Sequence, residues 1–332
     1  MNAVIKTVLL AIVALAILIG GSYWLPNWAL FLVTMALAKG LTALGIVTMM
    51  RGGLVSFGQG LYFCTGAYVA VLVANGTGST DIFLLSFAAA VFCLLMGLLF
   101  GPLLATYRGI FFAMLSLSLS MILYGALSQM TIIGGTDGLN VAAATFLGYA
   151  PEGHELQVAL YLFTAGVTVL VGVFLRLYFD SEQGSLSLAI KDNELRVEYL
   201  GASVRRVMAI NYIIGGALGG LGGSIAALAL GHVDPELSFW TTSGEFVFVA
   251  ILAGYLSIPA VFIASILLEL VRSFSGLYFP NTWQLFLGAF LLAVIFLLPD
   301  GLGSLTRRKA KAKAISRTTD TAPTAAEVPN GR

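Results

Sequence analysis

Residues 180–206 read DSEQGSLSLAIKDNELRVEYLGASVRR, nine charges in 27 positions, between two segments, 157–179 and 206–230, that are almost continuously apolar. Each flank is long enough to cross a hydrocarbon core, which takes about 20 apolar residues for roughly 30 Å. The flanks therefore belong in lipid and the island in water. The rest of the chain conforms: of 332 residues, 59% are hydrophobic and 10% charged, against about a quarter charged in a soluble domain. No polar stretch exceeds about thirty residues, which leaves room for one bundle and no folded domain outside it. The net charge of +1 carries no signal for nucleic acid. Cys64 and Cys93 lie in apolar runs, where a free thiol packs as a small hydrophobe and implies neither a disulfide nor a metal site.

Working outward from the island, hydropathy predicts ten spans, at 3–22, 29–50, 54–74, 82–106, 109–133, 157–179, 206–230, 242–254, 260–277 and 283–299. The expected fold is an all-α polytopic membrane protein, about ten transmembrane segments in a single bundle over residues 1–305. The first span reads as an uncleaved signal anchor, because no small-x-small cleavage site follows its core. Residues 306–332 turn basic and then Thr/Ala/Pro-rich, which predicts a disordered tail whose basic part lies near anionic lipid. With the amino terminus inside, alternation puts Arg51, Arg108, Lys191, Arg196, Arg205, Arg206 and the tail on one side and Asp81, Asp137, Glu152, Glu155, Asp234 and Glu236 on the other. That basic bias makes both termini and the island cytoplasmic.

Two spans are irregular. The third opens on Gly52-Gly53 and Gly58-Gln59-Gly60, and the eighth, 242–254, is too short to span unaided. Broken segments persist at membrane depth only inside protein or along a cavity. Found at similar places in two halves of opposite polarity, they predict inverted-repeat halves and a midplane pathway.

Several short motifs in fixed order complete the pattern: Ser56-Phe57-Gly58-Gln59, Gly66-Ala67-Tyr68, Arg108-Gly109, Gly134-Gly135-Thr136-Asp137-Gly138-Leu139, Ala189-Ile190-Lys191-Asp192-Asn193-Glu194, Leu200-Gly201, Ser243-Gly244-Glu245 and Pro299-Asp300-Gly301-Leu302. In these the chain resembles permease subunits of branched-chain amino acid ABC importers, a family that includes urea, short-amide and aromatic-acid permeases. The resemblance implies a second homologous permease, two ATP-binding cassette subunits that use ATP and Mg, and a periplasmic substrate-binding protein. It also implies an inner-membrane location. The chain departs from the family pattern with Ser185, not Arg, after Gly184, and with AGYLSIPA at 253–260 where a Gly-rich turn with a Gly-Pro is usual.

The candidate site residues follow. Residues 186–200 read as one amphipathic helix, punctuated by Gly184 and Gly201, with Leu186, Ala189, Ile190, Val197 and Leu200 on one face. The ATPase-coupling set is Leu186, Ile190, Lys191, Glu194, Arg196 and Leu200, apolar anchors with charges that fix register. The pathway set is Lys39, Ser56, Gln59, Tyr68, Ser243 and Glu245. Gln59 reads either as a lining amide or as interhelical packing. Glu245 reads either as an ionisable pathway group or as the end of a capping box from Thr242. Lys39 needs a partner, with Glu245 and Glu269 both candidates, and Glu269 with Arg272 has helix-pair spacing. Asp137 and Asp234 sit in the external loops expected to dock a binding protein, where Asp137-Gly138 also has turn chemistry. The paired glycines at 215–223 follow no strand and read as close helix packing.

Catalytic signatures are missing: there is no G-x-x-x-x-G-K-[ST], no H-E-x-x-H, and only His154 and His232. The sequence therefore predicts a transport subunit rather than an enzyme, with no catalytic residues, bound cofactor or metal. The rival from another class is a stand-alone secondary transporter with an ion site at Lys39, Glu245 and Glu269.

Overall fold

A computed structural model describes residues 3–22, 24–280, 282–297 and 301–303. The helices are α1 Ala3–Ser22, α2 Asn27–Met50, α3 Gln59–Thr77, α4 Ile82–Leu104, α5 Gly109–Gln129, α6 His154–Asp180, α7 Glu182–Asp192, α8 Glu194–Tyr199, α9 Val204–Leu230, α10 Trp240–Ala253, α11 Ile258–Tyr278 and α12 Trp283–Leu297. Among the described residues, seven of these are long and apolar enough to cross a membrane, and shorter apolar stretches lie at Leu9–Ser22, Trp240–Ala253 and Gln284–Val294. The chain is thus a multi-pass, mainly helical membrane protein. Its small departure from all-α is a two-residue antiparallel ladder, β1 Leu139–Asn140 against β2 His232–Val233. The expected tail, 306–332, lies outside the described residues.

The bundle is organised around α9, and its glycines explain why. A methyl group on Gly45 of α2 would stand 2.7 Å from the carbonyl oxygen of Gly215, and one on Gly220 would stand 2.6 Å from Cys93 of α4. Gly222 meets Ala38 and Thr42 of α2, and Gly223 meets the backbone of Phe63 in α3, closer still. Lipid provides no hydrophobic drive for helices to associate, so close backbone packing over small residues must supply it. Three helices seat on α9 in this way. As a result α2 is buried along nearly its whole length, from Ala29 to Met49, a position that only an all-round apolar helix tolerates.

The connections define two ends. Near Gly52, Gly53 and Pro102 lie Met208, Lys191 and Arg205 respectively, all in or beside the 180–206 island. At the far end β1 meets β2, and Ile82 N–H donates to Thr145 at 3.0 Å. Leu302 N–H donates to Leu252 at 2.8 Å, so the residues after α12 return to the island end.

The island itself corrects one expectation. It is two helices rather than one, because Asn193 turns extended (φ −160°, ψ 101°) and its side chain accepts from Arg196 N–H to cap α8. Gly184 lies inside α7, pressed against Tyr178 and Phe179 where no side chain fits, so it serves helix approach instead of helix termination. Gly201, at φ +87°, does end the pair.

Candidate functional site

Two chain segments enter the bundle from opposite ends and meet inside it. Residues 51–58 leave the island end of α2 without helical structure, and α3 starts only at Gln59. From the far end, residues 231–239 run beside α3, with Cys64 Sγ 3.9 Å from the Asp234 carbonyl, and α10 starts at Trp240. With 14 residues, α10 covers about 21 Å at 1.5 Å per residue, less than a bilayer core.

At the crossing, Gly60 N–H donates to Ser243 Oγ of α10 at 3.0 Å, and Phe57 N–H donates to Ser116 Oγ of α5 at 3.2 Å. Ser120 Oγ, one turn further along α5, donates to Ser238 O at 2.7 Å, and Ser56 Oγ accepts from Gly58 N–H at 3.2 Å. These hydroxyls satisfy backbone groups that a broken helix leaves open, a requirement that is strict away from water. Gly58 and Gly60 admit no side chain: a methyl on Gly58 would collide with Ser116, and one on Gly60 with Ser243. The broken start of α3 is thus clasped between α5 and α10. Ser116 and Ser120 were not among the sequence candidates; their i, i+4 spacing in an apolar span is the signal that could have found them.

Gln59 is completely buried, and among the described residues neither its amide oxygen nor its nitrogen has a hydrogen-bond partner. It lies against Gly215 and Gly219 of α9, where added methyls would come within 3.1 and 2.9 Å of the amide. An unsatisfied buried amide costs about 1–3 kcal/mol per group. Among the described residues the buried Tyr68 hydroxyl, further along α3, also has no partner, nor has the carboxylate oxygen Oδ1 of Asp234.

The charged candidates form one cluster. Lys39 Nζ lies 2.8 Å from Glu269 Oε2 and 3.7 Å from Glu245 Oε2, and Arg272 Nη1 donates to Glu245 Oε2 at 2.8 Å. Lys39, Glu245 and Glu269 are at most 15% exposed at the side chain, Arg272 39%. Two expectations are corrected. Glu245 caps nothing, since α10 begins at Trp240 and Thr242 Oγ1 donates instead to Glu236 O. The ion pairs run between helices α2, α10 and α11 rather than along one, because each bare charge in the bundle core finds its opposite there.

On the island, Ile190 and Val197 are buried and pack with partly buried Leu186 in the bundle's own core. The apolar face expected to meet a partner is therefore largely turned inward. The large exposed apolar side chains are Leu195, Tyr199 and Leu200, at 65, 89 and 81%; with Asn193 and Arg196 they line a shallow groove. Glu194 is held within the chain by Arg108, through contacts of 2.9 and 3.1 Å, and Lys191 Nζ sits 3.1 Å from the ring centroid of Tyr255. Arg196 remains exposed.

At the far end, Asp137 is exposed in a run of 3₁₀ turns whose glycines, 134, 135 and 138, all take positive φ. Nearby, Tyr149 donates to Glu155 at 2.8 Å, which raises the Tyr149 phenol above its ordinary value. Among the described residues no group of three or more His, Cys, Asp or Glu could hold a metal ion.

Comparisons with known proteins agree on the kind of molecule. The chain is 24% identical to the high-affinity branched-chain amino acid transport system permease protein LivM of Escherichia coli K12, over 94% of this chain and 78% of LivM. It is 22% identical to LivH of the same organism, a permease protein of the same named system, over 81% of this chain and 92% of LivH. No solved structure matches. The family described as branched-chain amino acid transport system / permease component matches residues 28–295, a stretch that runs from α2 nearly to the end of α12 and includes both broken segments and the island, and the chain belongs to that family.

Proposed function

We propose that this chain is a transmembrane permease subunit of a binding-protein-dependent ABC importer, moving branched-chain or related amino acids into the cytoplasm of a bacterium. The observation that carries the reading is the match to permease components over residues 28–295, joined to a buried crossing of two broken segments. In this reading the crossing at Ser56, Gln59 and Ser243 borders the pathway, and the two halves of the bundle are related by inversion. ATP and Mg are used by two partner subunits, one of them docked on the α7–α8 groove of this chain, whose exposed Leu195, Tyr199 and Leu200 offer an apolar contact. The far-end loops, with Asp137 and Asp234, meet the substrate-binding protein.

A second homologous permease completes the pathway. Its seat is the uncovered side of α5 and α10, where Gly125 and Gly244 have open space around them and small residues favour a further helix. Urea, short amides and aromatic carboxylates are the alternative solutes within the family. The stand-alone carrier is less well supported, because the family match is to the permease component of a transport system.

Reconstitution with the cognate ATPase, second permease and binding protein tests the reading. Leucine uptake should need both ATP and the binding protein. Uptake driven by an ion gradient with neither present would overturn it. Orientation is read separately by single cysteines: position 199 on the island should react only from the cytoplasm, and position 132, where Ile132 is 96% exposed, only from outside.

A further inference from the structure

The α7–α8 pair grips two helices that are not its neighbours in sequence. Its flanking helices hold it as expected, Asn211 of α9 donating to Ser187 at 3.0 Å and accepting from Tyr178 of α6 at 2.6 Å. Beyond these, α7 reaches the turn between α10 and α11: Lys191 places its ammonium over the Tyr255 ring, and the Tyr255 carbonyl accepts from Arg51 at 3.3 Å. Separately, α8 reaches the start of α5. The Glu194 carboxylate takes Nε and Nη2 of Arg108, whose Nη1 is fixed on the carbonyls of Ala105 and Tyr107.

These two attachments lead to α10 and α5, the helices that clasp the broken start of α3 through Ser243 and Ser116. They also differ in kind. A forked guanidinium–carboxylate pair fixes both distance and angle, whereas an ammonium on a ring face is attracted over a broad area and tolerates sliding. The Tyr255 ring stands in the 253–260 turn, where the chain departs from the Gly-rich pattern.

Resting on the reading above, we propose that Arg108 and Tyr255 are positioning residues through which movement of the docked α7–α8 pair is passed to α5 and α10, the first as a rigid link and the second as a sliding one. Neither touches solute or nucleotide. Each acts by setting where a pathway helix stands when the island moves.

The test uses the full reconstituted complex and reads solute moved per ATP hydrolysed at matched amounts of assembled transporter. Tyr255→Leu should assemble and support hydrolysis, yet lower that ratio about tenfold, because the ring face is gone. Tyr255→Phe should stay within about twofold of the unaltered chain, since it keeps the face. Arg108→Glu and Glu194→Arg should each lower the ratio, and the double exchange should restore at least about half of it by re-forming the pair. An unchanged ratio in Tyr255→Leu, a Phe variant as impaired as Leu, or a double exchange no better than its singles would overturn the inference. If Tyr255→Leu fails to assemble, the exchange at 108 and 194 decides alone. Failure of the unaltered complex to transport with ATP would strike the functional reading as well; failure confined to these variants' predicted pattern would strike this inference only.

Discussion

The two broken segments meet at one place but are held there by different physics. The first, residues 51–58 leading into α3, carries no charge from Gly52 onward and is held by space: Gly58 and Gly60 bring backbone against α5 and α10, and Gln59 is pressed on the α9 glycines with its amide unsatisfied. The second, 231–239, is tied by hydrogen bonds such as Ser120 Oγ to Ser238 O, and the helix it leads into, α10, is held by charge, with Glu245 gripped by Lys39 of α2 and Arg272 of α11. A seat made of close contacts has one good arrangement. A seat made of ion pairs is strong only while every member is present. In the proposed reading α10 is latched by its ion pairs to α2 and α11, and solute passes beside the start of α3, the wedge.

Breaking the latch should have the largest effect. Lys39→Met leaves Glu269 without its near partner and Glu245 with one fewer, and removal of one side of a buried pair costs about 3–5 kcal/mol. Thermal unfolding in detergent should register a large drop, and adding Glu269→Gln should recover much of it. A Lys39→Met protein as stable as the parent would show that the cluster holds nothing together.

Crowding the wedge comes next. A methyl at Gly60 would displace Ser243 Oγ and meet Ser120 Oγ at 3.1 Å. Gly60→Ala should therefore cost about 1–3 kcal/mol, the range for overpacking a tight interior. Gly244→Ala, with open space around it, should cost little by the same assay. Equal losses at the two positions would erase the contrast.

The smallest effect on stability, and the most informative sign, belongs to Gln59→Leu. Replacing an amide with no partners should leave the melting temperature unchanged or raise it, since an unsatisfied group worth about 1–3 kcal/mol of penalty is removed. Uptake should fall all the same. A destabilised Leu variant would show that the amide is packing after all.

Much of the fold was legible because hydrophobic length and small-residue spacing are local signals. Seven of the ten expected spans, the interrupted start of α3, the shortness of α10 and the glycine packing of α9 could be read without long-range information. What escaped was set by other parts of the chain. Lys39 demanded a partner, but only the approach of α11 to α2 decides for Glu269 over Glu245 as the nearer one. Along 186–200 the apolar positions divide, Ile190 and Val197 turning into the bundle while Leu200 stays exposed, because an apolar side had two possible neighbours and the bundle lay against part of it. The break at Asn193 did carry a local signal, an Asn before Glu in cap position, overridden by the helical period running across it.

If the crossing of the broken segments borders the pathway, position 59 meets water in some state of the transport cycle. A single cysteine there, with Cys64 and Cys93 replaced by alanine, can be followed in the reconstituted complex held with ATP, with ADP or without nucleotide. A small membrane-impermeant thiol reagent should label position 59 in at least one of these states, and solute delivered by the binding protein should slow the labelling. No labelling in any state, while a cysteine at position 132, where Ile132 is 96% exposed, reacts readily in the complex without binding protein, would mean that the crossing is sealed packing.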